Sequence, residues 1–397
     1  MPKSSSRHQA LLTMNVGSSS IKFALFEAHD QRLLASGQLT GIGTQVQFKA
    51  HAVRDGREFQ QNWPPGQSPA THAAAIAWLV SWFNQEMAHD EVVAVGHRVV
   101  HGGVWFDQAV VLTPEIMAQL EQLEPLAPLH QPHNLAGVRA AQQAFGAAVH
   151  VACFDTAFHC HQPFVKDCFA LPRRYYDEGV RRYGFHGLSY EYIAHYLQRE
   201  FPLQAVGRVI VAHLGNGASM CAMLNGHSIA STMGFSALDG LPMGTRCGQL
   251  DPGVLLYFLQ QGMTEPELTD LLYKESGLKG ISGISNDMRE LEQSDCIEAK
   301  QAIDYFVYRI KRELGALTAA LEGLDAVVFT GGIGEHSARV RAQVLESMAW
   351  LGVELDEQAN EQHQTIISSR RSRVLCLRVP TDEETMIAQH TAKLMVR

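Results

Sequence analysis

The chain has 397 residues, 46% of them hydrophobic, and a formal net charge of −9. That length allows large buried cores and predicts two domains, while the acidic balance and the lack of a basic run argue against a nucleic-acid partner. Seven cysteines, at 153, 160, 168, 221, 247, 296 and 376, form no Cys-x-x-Cys pair, and their odd number argues against a disulfide framework. The polar start MPKSSSRHQA lacks the apolar core of a signal peptide and no run is long enough to span a bilayer, so the expectation is a soluble cytoplasmic protein with no membrane partner.

Leu11 to Phe26 reads LLTMNVGSSSIKFALF: an apolar run, a small polar turn with Asn15 and Gly17, then an alternating run, the pattern of strand, turn, strand. Gly37 to Trp63 alternates polar and apolar residues and continues the sheet as antiparallel strands until Pro64-Pro65-Gly66. Thr71 to Met87 spaces its apolar residues as a covering helix does. Val92 to Gly103, VVAVGHRVVHGG, reads as a buried strand that delivers Arg98 between apolar neighbours. A buried arginine needs an anion. The sequence leaves open whether that anion is a protein carboxylate or a carboxylate substrate walled by Val99 or Val100. His97 and His101 have the spacing of a helical metal pair, but in a strand they lie more than ~13 Å apart, which argues against ligation.

Leu126 to Asn134, LAPLHQPHN, reads as a proline-stiffened loop around His130. Val149 to His159 is a buried strand ending in Asp155 and Thr156, where a carboxylate serves catalysis, magnesium binding or helix capping. His159-Cys160-His161 lacks a second ligand pair. Arg181 to Ser189, RRYGFHGLS, sets His186 between glycines after Phe185.

Val209 to Leu224, VIVAHLGNGASMCAML, repeats the layout of the first stretch about 200 residues on, which predicts two similar domains facing each other across a cleft. Gly215 and Gly217 allow main-chain N–H groups to approach a phosphate closely, although Gly-Asn-Gly also makes ordinary hairpin turns. Neither copy has the Gly-Lys-Ser/Thr ending of a P-loop, and each leads into a strand rather than a helix. Ser231 to Pro252 is a long glycine- and proline-rich loop carrying Arg246. Helices are expected over Gly253 to Gln261 and Glu265 to Tyr273, then a Gly/Ser-rich turn over Gly277 to Asp287 and a long amphipathic helix from Ile297 to Leu321. Asp325 to Glu335, DAVVFTGGIGE, is a strand and glycine turn before a helix over Ala338 to Met348; such a turn signals a nucleotide but also serves close packing. Val374 to Pro380 is the last strand, and Thr381-Asp382-Glu383-Glu384 opens the terminal helix with acidic residues.

The paired hairpins resemble those of the acetate and sugar kinase, heat-shock-70 and actin group, which clamp the phosphates of ATP between two related domains. From about Leu11 to its end the chain is similar to the acetokinase family of acetate, propionate and butyrate kinases. The similarity runs in order through Asn15 to Lys22, Gly96 to Gly103, Leu129 with its Leu-His-x-Pro segment, Phe154 to His159, Arg182 to Gly187, His213 to Ser219, Met243 to Pro252, Asn286 to Arg289, Gly331 to Glu335 and Thr381 to Glu384. The resemblance implies an α/β fold of two duplicated ribonuclease-H-like (actin-like ATPase) domains with an interdomain active-site cleft. Residues 1–156 with the C-terminal helix 384–397 would form the acyl-substrate side, and residues 157–383 the nucleotide-binding domain. It implies reversible, magnesium-dependent transfer of the ATP γ-phosphoryl group to acetate, or to propionate as the alternative acid, with manganese able to replace magnesium, in a homodimer.

The residue types suit that chemistry. A carboxylate, with an ordinary pKa of about 4, is already ionised and needs no base, so the difficulty lies in bringing two anions together. An arginine on the transferred phosphoryl contributes roughly 10³–10⁵ in rate. By the resemblance, Arg98 holds the acid in a pocket with Val100, Leu129 and Phe185; Arg246 and His186, assisted by His130, stabilise the phosphoryl; and Asn15 and Glu383 position magnesium while Asp155 orients that cluster. ATP falls to Lys22, to His213, Leu214, Gly215, Asn216 and Gly217, to Asp287, Met288 and Arg289, and to Gly332, Ile333, Gly334, Glu335 and His336. The chain departs from the family at His336 and Gln131, where asparagine is usual, at Gln249, often aspartate, and at Ala237, usually a proline of the acyl pocket. Two rival readings share the hairpins: a heat-shock- or actin-like ATPase, which needs no paired arginines, and a sugar kinase, which needs Asp155 as a base.

Overall fold

The computed structural model describes residues 8–17, 19–64 and 66–395, so Ser18 of the first turn, Pro65, and most of the polar start lie outside the described residues. The chain divides into two compact units, one running to Ala157 and resuming at Asp382, the other from Phe158 to Thr381.

The first unit is built on strands β1 (His8–Val16), β2 (Ser20–Glu27), β3 (Leu33–Thr40), β4 (Gln47–Ala52), β5 (Arg57–Asn62), β6 (Asp90–Val99), β7 (Val110–Val111) and β8 (Val149–Phe154). They form one sheet in the order β5-β4-β3-β2-β1-β6-β8-β7. The hairpin partners are antiparallel, whereas β1/β6 and β6/β8 pair in parallel. Between β5 and β6, the helix His72–Glu86 starts at Thr71, whose hydroxyl accepts from the N–H of Ala74. Its apolar stripe, Ala75, Ile76, Leu79, Trp82 and Phe83, recurs every three to four residues and is buried. There Phe23 meets Phe83 edge to face at 5.3 Å, a geometry that adds about 0.5–1.5 kcal/mol beyond burial, and the tilted ring of Trp82 at 5.8 Å. The terminal helix Glu383–Met395 returns to pack on β1 and β6. Gly96 permits this approach, since a Cβ there would stand 2.6 Å from Ile387 Cγ2.

The second unit contains β9 (Arg208–Leu214), β10 (Ala218–Leu224), β11 (His227–Ser231), β12 (Ala326–Thr330) and β13 (Leu375–Arg378), in the order β11-β10-β9-β12-β13. The hairpin pairs are antiparallel; β9/β12 and β12/β13 are parallel. This is the arrangement of β3-β2-β1-β6-β8, strand for strand and direction for direction, so the repeat read from two hairpins extends to five strands. Tyr190, Ile193, Ala194 and Leu197 of the helix Gly187–Glu200 pack on buried Val209, Val211, Val328 and Leu377. Three stretches differ from expectation: after β12 the glycine turn winds into the short helix Gly331–His336. Pro132 of the Leu126–Asn134 segment lies in the first turn of the helix Gln131–Ala144, where its missing N–H costs nothing. The Gly/Ser-rich stretch from Gly277 contains the helix Gly277–Ser282, ended by left-handed Gly283.

Candidate active site

In the first unit, four sequence candidates from four separate segments meet in one cluster. Arg98 at the end of β6 donates from Nε to Asp155 Oδ1 at 2.8 Å and from Nη2 to Oδ2 at 2.6 Å, and its Nη1 donates to Asn15 Oδ1 at 3.3 Å. Asn15 Nδ2 donates to Glu383 Oε2 at 3.5 Å, and Glu383 stands 3.8 Å from Arg98 Nε. Adjacent parallel strands bring Arg98 and Asp155 together, since Val99 of β6 is in register with Phe154 of β8. Glu383 is held by the cap that opens its helix, where Asp382 accepts from the N–H and the hydroxyl of Thr385. Burial works against the Arg98 charge, but Asp155, Glu383 and Glu384 outweigh it and hold the guanidinium above the ordinary arginine value. The Glu384 carboxyl is pushed up, first by burial and then by Glu383.

The sequence left the Arg98 anion open, and the structure supplies Asp155. The Nε/Nη2 edge of the Arg98 fork is committed to Asp155. Both Asp155 oxygens accept from that guanidinium, Oδ1 from Nε and Oδ2 from Nη2. Among the described residues no group of three or more His, Cys, Asp or Glu side chains is arranged to hold a metal. Magnesium does not require one, for it binds commonly through one or two carboxylates together with substrate phosphates. Asp155, Glu383 and the Asn15 amide form such a hard-oxygen set, so these residues fit the ion.

Val100 and His130 are placed by one brace. From the helix that follows His130, Asn134 accepts from the N–H of Val100 at 3.0 Å and donates to Val16 O at 2.7 Å. Gln131, fully buried, accepts from the N–H of His101 at 3.2 Å and donates to its carbonyl at 3.0 Å. The departure at Gln131 therefore carries a structural role that the sequence did not reveal. His130 is the residue before that helix, and Leu129, half-buried, precedes it. Lys22 is exposed on β2, its charge acting on Glu384. Phe185 is buried in the second unit, where its carbonyl bonds His159 Nε2 at 3.0 Å.

In the second unit, the β9/β10 tip closes through Gly215 N–H to Gly217 O at 3.0 Å. The Asn216 carbonyl accepts from Gly244 N–H at 3.0 Å and its amide oxygen from Asn286 Nδ2 at 3.1 Å, so two loops fix the tip. His186 and Arg246 converge on it: a Cβ built on Gly217 would lie 3.3 Å from His186 Nε2 and 3.9 Å from Arg246 Nη1. His186 adopts left-handed backbone geometry, φ 58°, just before the helix Gly187–Glu200, a conformation that costs a non-glycine residue about 1–2 kcal/mol. Arg246 Nη1 also donates to Ala237 O at 3.2 Å.

A cavity of about 500 Å³ opens beside the tip, lined by Gly215, Asn216, Asp287, Met288, Arg289, Gly332, Ile333 and His336. Asn286, Glu292 and Ser337 also line it; sequence reading had not placed the last two, whose identities carry no nucleotide signal. His213 and Leu214 belong to β9 and Gly334 is a buried residue of the helix Gly331–His336; the three are not part of the lining. Glu335 does not face the cavity. Its Oε1 accepts from the N–H groups of Gly331 at 2.9 Å and Thr381 at 3.2 Å, which ties the glycine turn to the following chain. Gly331 has φ +76°, and a Cβ there would press against Leu214 O at 2.8 Å, so the turn requires glycine.

The duplicated sheets, each with a hairpin beside a parallel strand, define an actin-like ATPase fold, shared with solved short-chain acid kinases. A propionate kinase from Francisella tularensis superposes with a TM-score of 0.89 at 36% identity, covering 97% of this chain and 99% of that one. Porphyromonas gingivalis acetate kinase gives 0.87 at 36% identity over 98% and 100% of the two chains. The acetate kinase of Methylocella silvestris is 55% identical over 396 residues, 98% of each chain. The sequence profile of the Acetokinase family matches residues 10–389. The chain belongs to the acetokinase family.

Proposed function

We propose that the protein is an acetate kinase, which moves the γ-phosphoryl group of ATP to a carboxylate oxygen of acetate, giving acetyl phosphate and ADP, and runs in both directions. The observation that carries the reading is the convergence of His186 and Arg246 on the hairpin tip Gly215–Gly217 at the edge of a nucleoside-sized cavity. There the tip N–H groups and Asn216 would cradle the phosphates. Arg246 would supply positive charge to the equatorial oxygens as the phosphoryl group leaves ADP, and His186 a directed donor. On the first unit the Nη1 side of Arg98, which makes only the longer 3.3 Å bond to Asn15, would hold the acid. Asp155, Glu383 and Asn15 would hold magnesium, which when bound neutralises phosphate charge. The Arg98–Asp155 pair also disfavours a sugar kinase, which would need Asp155 free to take a hydroxyl proton; an acid acceptor has none to give.

Trapping with hydroxylamine tests this reading, because only an acyl phosphate yields a hydroxamate. The expected outcome is hydroxamate from ATP and acetate, at a higher kcat/KM than from propionate or butyrate. ATP hydrolysis without hydroxamate, or a preference for propionate, would replace it with the corresponding rival.

The finer setting belongs to the same proposal. No helix among the described residues is long and apolar enough to cross a membrane, and the seven cysteines are free thiols, consistent with the cytoplasm. We assign the helix Pro252–Gln260, PGVLLYFLQ, to a homodimer interface: it buries none of its residues, leaving Leu256 and Tyr257 61% and 57% exposed. Light scattering should give twice the chain mass, and Leu256→Glu should halve it.

A further inference from the structure

Behind the β9/β10 tip, three side chains form a chain of hydrogen bonds. Tyr190, on the helix Gly187–Glu200, places its hydroxyl 2.5 Å from Ser219 Oγ on β10, and Ser219 Oγ lies 2.7 Å from His186 Nδ1. Tyr190 and Ser219 are both fully buried. Among the described residues, the Tyr190 hydroxyl has no hydrogen-bond partner besides Ser219, and the Ser219 hydroxyl none besides Tyr190 and His186.

The protons in this chain can be counted. Burial pushes the Tyr190 phenol well above its ordinary range, so it keeps its hydrogen. That hydrogen has one acceptor, Ser219 Oγ; turned the other way, a buried O–H would be left unsatisfied at a cost of about 1–3 kcal/mol. A serine hydroxyl carries one hydrogen; one of its two lone pairs accepts from Tyr190, and His186 Nδ1 is the one acceptor in reach of that buried hydrogen among the described residues. Nδ1 must then be the bare, accepting nitrogen.

We propose that Tyr190 and Ser219 are positioning residues that fix His186 as the neutral tautomer with its proton on Nε2, the nitrogen facing Gly217. The proposal rests on the kinase reading for the identity of the group that Nε2 meets, a phosphoryl oxygen. Protonating Nδ1 would turn it into a second donor to Ser219 Oγ and leave the serine hydrogen, buried and with no other acceptor among the described residues, unsatisfied. It would also place a second cation beside Arg246 and against the His213 ring, stacked on His186 at 4.4 Å. The division of labour follows: Arg246 supplies the charge, and His186 a neutral N–H whose direction is set from behind. Tyr190 lies four residues after His186, one helical turn on, so helix and strand together hold the ring in its left-handed position.

Long-range nitrogen–proton NMR of the full chain labelled in histidine tests the relay, with the His186 signal assigned by its loss in His186→Gln. The wild-type signal should show the Nε2–H tautomer, and Tyr190→Phe and Ser219→Ala should each convert it to a mixture. Tyr190→Phe retains the ring packing and carries the test if Ser219→Ala does not fold. Turnover should fall about tenfold in Ser219→Ala, less than the 10²–10³ lost when an oxyanion donor is deleted outright, with KM for ATP within about twofold. A wild-type His186 protonated on Nδ1, or a folded variant that keeps a pure Nε2–H tautomer, overturns the relay. The tautomer is read without turnover, so a failed hydroxamate assay would sink the kinase reading and leave this result standing.

Discussion

Replacing Arg98 by methionine removes the guanidinium while keeping much of its stem. It leaves Asp155, whose side chain is only 2% exposed, as a buried carboxylate deprived of two charged donors at 2.8 and 2.6 Å. Removing one member of a buried ion pair costs about 3–5 kcal/mol, chiefly because the surviving charge has lost its partner. Arg98 retains 19% side-chain exposure, which puts the expected loss at the lower end, about 3 kcal/mol. For a unit of this size each kcal/mol lowers the melting temperature by about 2–4 °C, so the first unit should melt roughly 10 °C lower. The double variant Arg98→Met/Asp155→Asn removes the stranded charge and should recover at least half of that loss. Calorimetry of the wild type, both single variants and the double variant closes the cycle. A loss below about 1 kcal/mol in Arg98→Met, the range of surface pairs, or a double variant less stable than Arg98→Met, would refute the argument. In activity, Arg98→Ala should mainly raise KM for acetate, whereas Arg246→Ala should mainly lower kcat.

Glu383→Gln keeps the shape of the cluster proposed to hold magnesium but removes one of its two carboxylates; the metal concentration for half-maximal activity should rise about 10–100-fold, the loss seen on disturbing metal shells, and an unchanged magnesium titration would exclude Glu383 as a ligand. Burial holds His97 down to about 3, with His150 adding to the effect, and burial alone holds His101 and His159 down to about 4. These folded values lie below the unfolded one, so the stability they contribute is fully present above pH ~6.5 and is lost as the pH falls toward 4, at up to about 1.4 kcal/mol per unit for each histidine. Unfolding His159→Asn at pH 5 should therefore take up about one proton fewer than the wild type, measured by calorimetry in buffers of different ionisation heat.

The hairpins were legible because their signals are local: alternating apolar residues on either side of a small-residue turn define β1/β2 and β9/β10 from sequence alone. Strand order was not, since the parallel partners β1 and β6 are separated by a whole antiparallel meander and a helix. Prolines and glycines misled where they mark helix ends as well as loops, as at Pro132 and between Gly277 and Gly283. At the site, residue types that are costly to bury announced themselves, as Arg98 did. Its partner did not, because the pairing depends on the β6/β8 register across 57 residues. Tyr190 and Ser219 gave no signal: in sequence they are a helix aromatic and a small strand residue, indistinguishable from core packing until their hydroxyls are seen to meet.

The repeat explains why the two chemistries arise where they do. In each unit a parallel strand runs beside the hairpin's first strand and stops level with the turn: Met14 is in register with His97 in one unit, and His213 with Thr330 in the other. The next residues of each pair emerge at the carboxyl end of a parallel sheet, where side chains and loops leave the hydrogen-bonded ladder and become available for binding. In the first unit that position holds Asn15 and Arg98, joined to Asp155 and Glu383 in an ionic cluster. In the second it holds the Leu214–Gly217 tip and the Gly331 turn, a backbone surface without carboxylates of its own, since Glu335 turns back to the main chain. One topology has thus been given charged side chains at one copy and glycine backbone at the other, the first suited to an acid and a metal, the second to the phosphates of a nucleotide. Exchanging Gly331 for alanine should accordingly weaken ADP binding without shifting the magnesium concentration for half-maximal activity, which the proposed mechanism assigns to the Glu383 cluster.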